Sequence, residues 1–208
     1  MMSAPIDINN DKHIEWYAMR VFMNKVSLCC DNLSYLNQEI QKSPQSRSQR
    51  VSDKLLGDSR EYYAPFKRIE QVNKHGKRVV TEVPIIPSLF FIRCNQHQAE
   101  GFEDWMDGKV HLYKRVKDFK VEPLKIPLKQ MQMFMMVSSG DQEGLEYFED
   151  SAFCWRKGER VRVIDGRFKG LEGEIKRING NHRLVVTVEG VCAVATTYIP
   201  RCFLEKLE

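Results

Sequence analysis

Residues 158–178 read GERVRVIDGRFKGLEGEIKRI, and this stretch decides the fold of the C-terminal part of the chain. Val161 and Val163 alternate with charged residues, which places both valines on one face of a β-strand. Glycines, which allow a tight reversal where side chains would collide, follow at positions 166, 170 and 173. Apolar residues at 175 and 178 then resume a strand pattern. The stretch therefore predicts two strands joined by a glycine-rich turn.

Turn signals and β-rich runs continue to the C-terminus. Asn179-Gly180 favours a tight hairpin turn, as Asp165-Gly166 does earlier. Residues 185–188 and 191–198 are rich in residues that favour strands. Four or five short strands in this length predict a small closed β-barrel, because closure removes exposed sheet edges.

The upstream part alternates between strand and helix patterns. Strands are predicted at 13–21, 61–72, 77–83, 85–94 and 109–116. Asn73-Lys74-His75-Gly76 is predicted to be the turn between the second and third of these strands, because glycine accepts the positive φ of a tight hairpin. Helices are predicted after Asn24, over 97–106 and after Pro127, whose missing N–H costs nothing at a helix start. That order predicts an α+β domain with a mostly antiparallel sheet and helices.

Two of the predicted helices have one apolar face, because their apolar residues recur at spacings of three and four. In the helix after Asn24 these residues are Val26, Cys29 or Cys30, Leu33, Leu36 and Ile40. In the helix after Pro127 they are Leu128, Met131, Phe134 and Met135. The first stripe is expected to lie against the sheet, and the second is expected to be the buried side of its helix.

Charge and composition divide the chain into four parts. Residues 1–11 are expected to be a flexible tail, and 12–137 a domain with a polar insertion at 41–60. Residues 138–153 carry five acidic and no basic residues, so they are expected to be an acidic linker. Residues 154–208 are the predicted barrel.

Several classes of protein are excluded by what the sequence lacks. Hydrophobic residues make up 42% and charged residues 29%, a globular balance with no run long enough to span a bilayer. No signal peptide is expected at the N-terminus, so the protein is expected to be cytoplasmic, with reduced cysteines. No C-x-x-C, paired histidines, P-loop or G-x-S-x-G occurs. We therefore expect no enzyme activity, no catalytic residues, no metal and no cofactor.

Residues 158–178 resemble the KOW motif, which opens an SH3-like barrel. Upstream, Trp16-Tyr17, Tyr63-Ala64-Pro65 and Pro87 with the following SLFFI resemble the N-terminal domain of the NusG family in order and approximate spacing. The resemblance covers most of the chain and is nearest to the specialised UpxY-type antiterminators of capsular-polysaccharide operons. It implies an NGN domain, the NusG N-terminal domain, followed by a KOW barrel.

The resemblance implies a monomeric transcription elongation or antitermination factor. The N-terminal domain of such a factor binds the clamp coiled coil of the largest RNA polymerase subunit and suppresses pausing or termination. The barrel recruits a second factor. The alternative is a ribosome- or RNA-binding KOW protein without polymerase contact, which needs exposed aromatic residues on a basic sheet. Its candidates are Trp16, Tyr17 and Phe90.

The stretch Ile86-Pro87-Ser88-Leu89 matches the family's polymerase-binding segment, so the resemblance implies polymerase contacts at Ile86, Pro87 and Leu89. Tyr17 and Phe90 are predicted to add aromatic area to this contact. A few apolar anchors can dominate such an interface. Alternation along a strand puts residues 89 and 91 on one face and 90 and 92 on the other, so at least one of these pairs is core.

Two basic clusters are predicted to contact upstream or non-template DNA weakly through its phosphates. The proposed residues are Arg20, Lys74, Lys77, Arg78, Lys114, Arg115 and Lys117. The alternative for both clusters is a solvated charged face.

The glycine-rich loop of the barrel supplies the predicted contacts to a second factor. The resemblance implies that Phe168 and Leu171 touch a ribosomal protein of the NusE type. The hairpin at 188–191 lacks the bulky apolar tip and arginine that the family's housekeeping members present there. Binding of the Rho terminator is therefore not expected.

Overall fold

The computed structural model describes residues 13–22, 26–27, 29–30, 61–139, 144–149 and 158–207. The chain forms two compact units. The first unit comprises Met1–Ala64 and Ile86–Lys125, and the second comprises Pro65–Ile85 and Ile126–Glu208. The predicted tail, the 41–60 insertion and helix positions Asn24, Leu33, Leu36 and Ile40 lie outside the described residues.

The first unit is built on an antiparallel sheet, whose strands are β1 (Glu15–Val21), β2 (Glu61–Tyr63), β5 (Leu89–Cys94) and β6 (Val110–Leu112). Strand β5 lies between β2 and β1, and β6 follows β1. A short strand, β9 (Lys125–Ile126), pairs with β1 beside this path. Strand β5 begins four residues later than the sequence predicts, because Pro87 has no N–H to donate and lies in a turn closed by a hydrogen bond from the Leu89 N–H to the Ile86 carbonyl.

Helix α1 (Gln96–Trp105) covers one face of this sheet. It begins at a capping box, in which Asn95 Oδ1 accepts from the Gln98 N–H at 2.9 Å and Gln98 Oε1 accepts from the Asn95 N–H at 3.0 Å. The ring of Phe102 meets Phe90 of β5 edge to face, with 5.8 Å between centroids. The helix is therefore held both at its start and through its buried face.

Two further hairpins form separate two-stranded sheets. Strands β3 (Phe66–Val72) and β4 (Arg78–Pro84) pair antiparallel, as do β7 (Lys114–Lys117) and β8 (Lys120–Pro123). The β3–β4 turn is the predicted one: Asn73 Oδ1 accepts from two backbone N–H groups, and Gly76 has a φ of +71°. Strand β8 is not predicted by the sequence, because its turn carries no glycine.

The second unit contains a six-stranded antiparallel barrel sheet. Its strands are β10 (Glu146–Glu149), β11 (Glu159–Val163), β12 (Glu172–Ile178), β13 (Asn181–Val188), β14 (Cys192–Tyr198) and β15 (Leu204–Lys206). Their order across the sheet is β10-β14-β13-β12-β11-β15. A 3₁₀ turn, Arg201–Phe203, leads into β15. The predicted turns at Gly166 and Asn179-Gly180 both use positive φ angles.

Helix α2 (Leu128–Ser138) packs on β13 and β14 of the second unit. Met131, Phe134 and Val137 are buried, whereas Leu128 is exposed and Met135 is half-buried. The buried face of the helix is therefore rotated slightly about the helix axis relative to the predicted face. The sequence groups this helix with the upstream domain, and the structure groups it with the barrel.

The predicted class, an α+β part with a mostly antiparallel sheet followed by a small β-barrel, is confirmed. One difference lies in the predicted acidic linker, because residues 146–149 form β10 and pair with β14. Among the described residues, no helix is long and apolar enough to cross a membrane.

Candidate functional site

Four of the five predicted polymerase contacts are buried. The exposed fractions are 1% for Tyr17, 6% for Ile86, 2% for Leu89 and 0% for Phe90. Phe90 packs on helix α1, while Leu89 and Phe91 point to the opposite face of β5 and are also buried. Both faces of β5 are therefore covered, and in this structure these side chains cannot touch a partner.

The exposed part of this region lies at the end of the sheet where β5 begins. Pro87 is exposed, and the next residue, Ser88, accepts a hydrogen bond at 2.7 Å from the Val21 N–H at the end of β1. Phe22 follows directly, is 42% exposed, and meets the His111 ring edge to face at 5.1 Å. We call Phe22, Pro87 and Ser88 the Pro87 end.

Sequence reasoning missed Phe22 at the Pro87 end. The strand alternation that identifies β1 stops at Val21, so it assigns no side-chain direction to the residue after it. The available signal was an aromatic residue directly after a predicted strand.

The basic cluster on the β3–β4 hairpin is solvated. Lys74, Lys77 and Arg78 are all exposed around the turn, and Arg68 pairs with Glu82 at 3.1 Å farther along the hairpin. Arg20 is exposed in β1, opposite Leu89 of β5 and His111 of β6. This hairpin belongs to the second unit and Arg20 to the first.

The second basic cluster divides into paired and unpaired charges. Lys114 binds Glu103 at 3.0 Å and Arg115 binds Glu122 at 2.8 Å, so the base of the β7–β8 hairpin is neutralised. Lys117 has no ion pair among the described residues. The positive charge available to a ligand is therefore concentrated at the outer end of this hairpin.

Glu103 organises the base of that hairpin. Its carboxylate accepts hydrogen bonds from the Leu112 N–H and His111 Nδ1, each at 3.1 Å, in addition to the Lys114 ion pair. Burial opposes its ionisation, but the hydrogen bonds from Lys114, Leu112 and His111 hold the pKa of this carboxyl below its ordinary value. Its role is structural, and the neighbouring Asp104 is exposed.

In the barrel loop, Phe168 is half-buried, with the Arg167 guanidinium carbon 5.4 Å from its ring centroid. Leu171 is fully buried, so it belongs to the barrel core and is not an exposed contact. Ile164 is exposed at the start of the loop, a position that the sequence analysis did not select. The loop thus presents Ile164 and part of Phe168.

A groove of about 470 Å³ lies elsewhere on the barrel. Its lining includes buried Val161 and Ile199, with Arg177, His182 and the exposed Tyr198. No sequence signal pointed to it, because its residues come from distant positions on five of the barrel strands and the loop before β15.

The cysteines and carboxylates of the described residues form no group that could hold a metal ion. Cys29 and Cys94 are buried free thiols, and burial raises their pKa to about 11 and about 12. Thiols with such pKa values stay protonated near neutral pH, and a protonated thiol is a poor nucleophile.

The aromatic candidates of the RNA-binding alternative are also covered. Trp16, Tyr17 and Phe90 are all buried, so they form no stacking surface on the sheet of the first unit.

Comparison with known proteins identifies the barrel motif. Residues 157–189 match the family model of the KOW motif. No curated protein matches the chain. Among solved structures, the chain is similar to NusG of Thermotoga maritima, in a structure that shows its domain interaction. The two sequences are 13% identical, the match covers 94% of this chain and 98% of that chain, and the TM-score is 0.42. It is also similar to the MjSpt4:Spt5 complex in conformation B, with 10% identity, coverages of 93% and 97%, and a TM-score of 0.27.

Proposed function

We propose that this protein is a transcription elongation or antitermination factor of the NusG family, specialised in the manner of the UpxY-type paralogues. The observation that carries the proposal is the order of parts in one chain: an α+β sheet unit, then a barrel with a KOW motif at 157–189. In this role the chain binds RNA polymerase, suppresses pausing or termination, and recruits a second factor through the barrel.

The polymerase contact is proposed to use the Pro87 end. Its exposed Phe22 and Pro87 replace the buried side chains as the apolar anchors for the clamp coiled coil of the largest subunit. The Val21 N–H donates to the Ser88 carbonyl, and the Phe22 N–H donates to the Lys109 carbonyl. These bonds hold the local backbone, so the anchors are presented on a rigid edge.

The basic hairpins are proposed to contact upstream or non-template DNA. Exposed Lys74, Lys77 and Arg78 line one hairpin, and exposed Lys117 lies on the other. Phosphate contacts by such residues add affinity without sequence preference. In the barrel, exposed Ile164 and half-buried Phe168 are proposed to receive the second factor, with a NusE-type ribosomal protein as the candidate.

A direct test places a charge at the Pro87 end. We expect Phe22→Glu to weaken binding of the purified protein to core RNA polymerase by roughly 30-fold or more, the loss of about 2 kcal/mol or more that is typical of a hot-spot residue. The matched control is Ile14→Glu, because Ile14 is 44% exposed and precedes β1, whereas Phe22 follows its end. The control variant is expected to bind like wild type.

Both variants alter exposed side chains, so their thermal melts should stay cooperative, and the melts are measured beside the binding curves. Equal binding by Phe22→Glu and wild type would show that the Pro87 end is not the contact. An absence of wild-type binding to polymerase would contradict the proposed function itself.

A further inference from the structure

The β7–β8 hairpin ends in an aromatic side chain that is fully exposed. Phe119 and Asp118 form its two-residue turn, with φ angles of 62° and 48°. A turn with two positive φ angles suits Asn-Gly or Asp-Gly, and a bulky residue at the second position is strained. Phe119 therefore weakens its own turn and gains no packing in return, which is unusual for a large apolar residue.

Two lysines that form no ion pair in the described part of the chain flank this ring, beside the exposed carboxylate of Asp118. Lys117 and Lys120 lie directly opposite each other on either side of the turn. Like charges in opposed positions repel and destabilise a hairpin. Neither lysine forms an ion pair with any residue in the described ranges, although Lys114 and Arg115 at the base both do. The repulsion would be relieved by an anion bound at the outer end.

The hairpin has two distinct faces next to its tip. Val116 and Val121 form the next opposed pair, and both are exposed. Because side chains alternate along a strand, the two valines lie on one face and the two lysines on the other. A ligand at the tip thus meets an aromatic ring, a basic face and an apolar face within a few residues.

Single-stranded nucleic acid has the chemistry that matches this arrangement. Its bases expose flat apolar faces that stack on aromatic rings, and its phosphates are regularly spaced anions. In a duplex the base faces are already stacked on each other and are not available. We propose that the tip of the β7–β8 hairpin binds single-stranded nucleic acid, with Phe119 stacked on an unpaired base and Lys117 and Lys120 contacting the flanking phosphates.

This inference deepens the DNA contact of the proposed function and rests on it for its setting in transcription. The binding site itself can be tested on the full-length protein without polymerase. Failure of this test would leave the polymerase contact standing, and failure of the polymerase test would leave this site standing.

The experiment measures fluorescence anisotropy of labelled oligothymidylate and oligouridylate, each about 12 nucleotides long, which covers a typical single-strand site. We expect Phe119→Gly to weaken binding by roughly 5- to 100-fold, the loss that follows removal of one base-stacking aromatic. Glycine suits the turn, so the melting temperature of this variant should equal or exceed that of wild type. Phe119→Trp keeps an aromatic ring at this position, so it should bind like wild type.

The salt dependence tests the lysines separately. Lys117→Ala is expected to reduce the slope of log affinity against log salt by about 0.7, the value for one phosphate contact to a single strand. The control is Tyr198→Ala, which removes another exposed aromatic side chain, this one from the second unit, and should bind like wild type.

The two oligonucleotides decide between DNA and RNA as the natural strand, and tighter binding of either one supports the site. Equal binding by Phe119→Gly and wild type would overturn the proposal, as would tighter binding of a duplex of the same length. No binding of wild type to either oligonucleotide at low salt would also overturn it and would favour an acidic protein as the ligand.

Discussion

Glu103 is the residue on which the base of the β7–β8 hairpin depends. One carboxylate joins helix α1 to the Leu112 backbone, to His111 and to Lys114, all within 3.1 Å. Hydrogen bonds to a charged acceptor are stronger than those between neutral groups. The lowered pKa of Glu103 is the expected sign of a carboxylate that the fold stabilises in its charged form.

Glu103→Gln should therefore lower the free energy of unfolding at pH 7 by about 1–3 kcal/mol, the cost of weakening a charged, partly buried hydrogen-bonded site. The folded-state pKa lies below the unfolded one, so the stabilisation is present above the unfolded pKa and is lost as pH falls through the folded pKa. Denaturant titrations at several pH values should show the difference between variant and wild type shrinking below about pH 4.

Asp104→Asn is the matched control, because the adjacent carboxyl is exposed. It should change stability by less than about 0.5 kcal/mol. Equal stability of Glu103→Gln and wild type at pH 7 would contradict the role of Glu103.

Gly173 shows a second constraint at the level of a single residue. A Cβ at this position would lie 2.4 Å from the Val185 carbonyl oxygen of the neighbouring strand. We expect Gly173→Ala to destabilise the barrel by about 1–3 kcal/mol or more, because backbone on the paired strand must move. The control is Gly76→Ala, where a Cβ meets open space and only the positive φ costs about 1 kcal/mol. A smaller loss for Gly173→Ala than for Gly76→Ala, in thermal melts, would contradict this account.

Helix α2 is the element whose placement changes the interpretation of the chain. Its buried face meets β13 and β14, the Phe134 ring lies 6.4 Å from Tyr147 of β10, and Lys129 binds Glu172 of β12 at 2.7 Å. The Gln130 side chain also accepts from the Glu189 N–H at 3.2 Å. Helix α2 and strand β10 are therefore parts of the second unit, although α2 leads into the acidic segment predicted as a linker and β10 lies within it.

Phe134→Ala is expected to lower the free energy of unfolding of the second unit by about 3–5 kcal/mol, the usual cost of removing a fully buried Phe. Met136→Ala on the same helix removes an exposed side chain and should cost less than about 0.5 kcal/mol. Near-equal midpoints for the two variants in denaturant melts followed by circular dichroism would show that α2 does not dock on the barrel.

Local chemistry made some of these elements predictable. Asn73 with Gly76, and Asn179-Gly180, specify their turns within a few residues, so both hairpins were predicted. The turn at Asp118-Phe119 uses the same backbone geometry without glycine, so strand β8 was missed.

Long-range packing explains the remaining misses. Alternation along β5 assigns Leu89 and Phe90 to opposite faces, but it does not say that both faces are covered. A nearly continuous apolar strand is typical of burial on both sides, and this was the better interpretation of residues 89–92. The docking of α2 and β10 depends on partners more than 40 residues away, which no local pattern encodes.

At the scale of the whole molecule, one chain combines two compact units that expose different chemistry. The first unit carries the Pro87 end and the hairpin tipped by Phe119, and the second carries the KOW barrel loop with Ile164 and Phe168. The proposed role gives each surface a partner: polymerase for the Pro87 end, nucleic acid for the hairpin tip, and a second factor for the barrel loop.

The lifetime of a transcriptional pause, measured on purified RNA polymerase with and without the full-length protein, tests the central claim most directly. The account predicts a shorter pause with wild type, a weaker effect with Phe22→Glu, and a wild-type effect with Ile14→Glu. An unchanged pause lifetime at protein concentrations that saturate polymerase would contradict it.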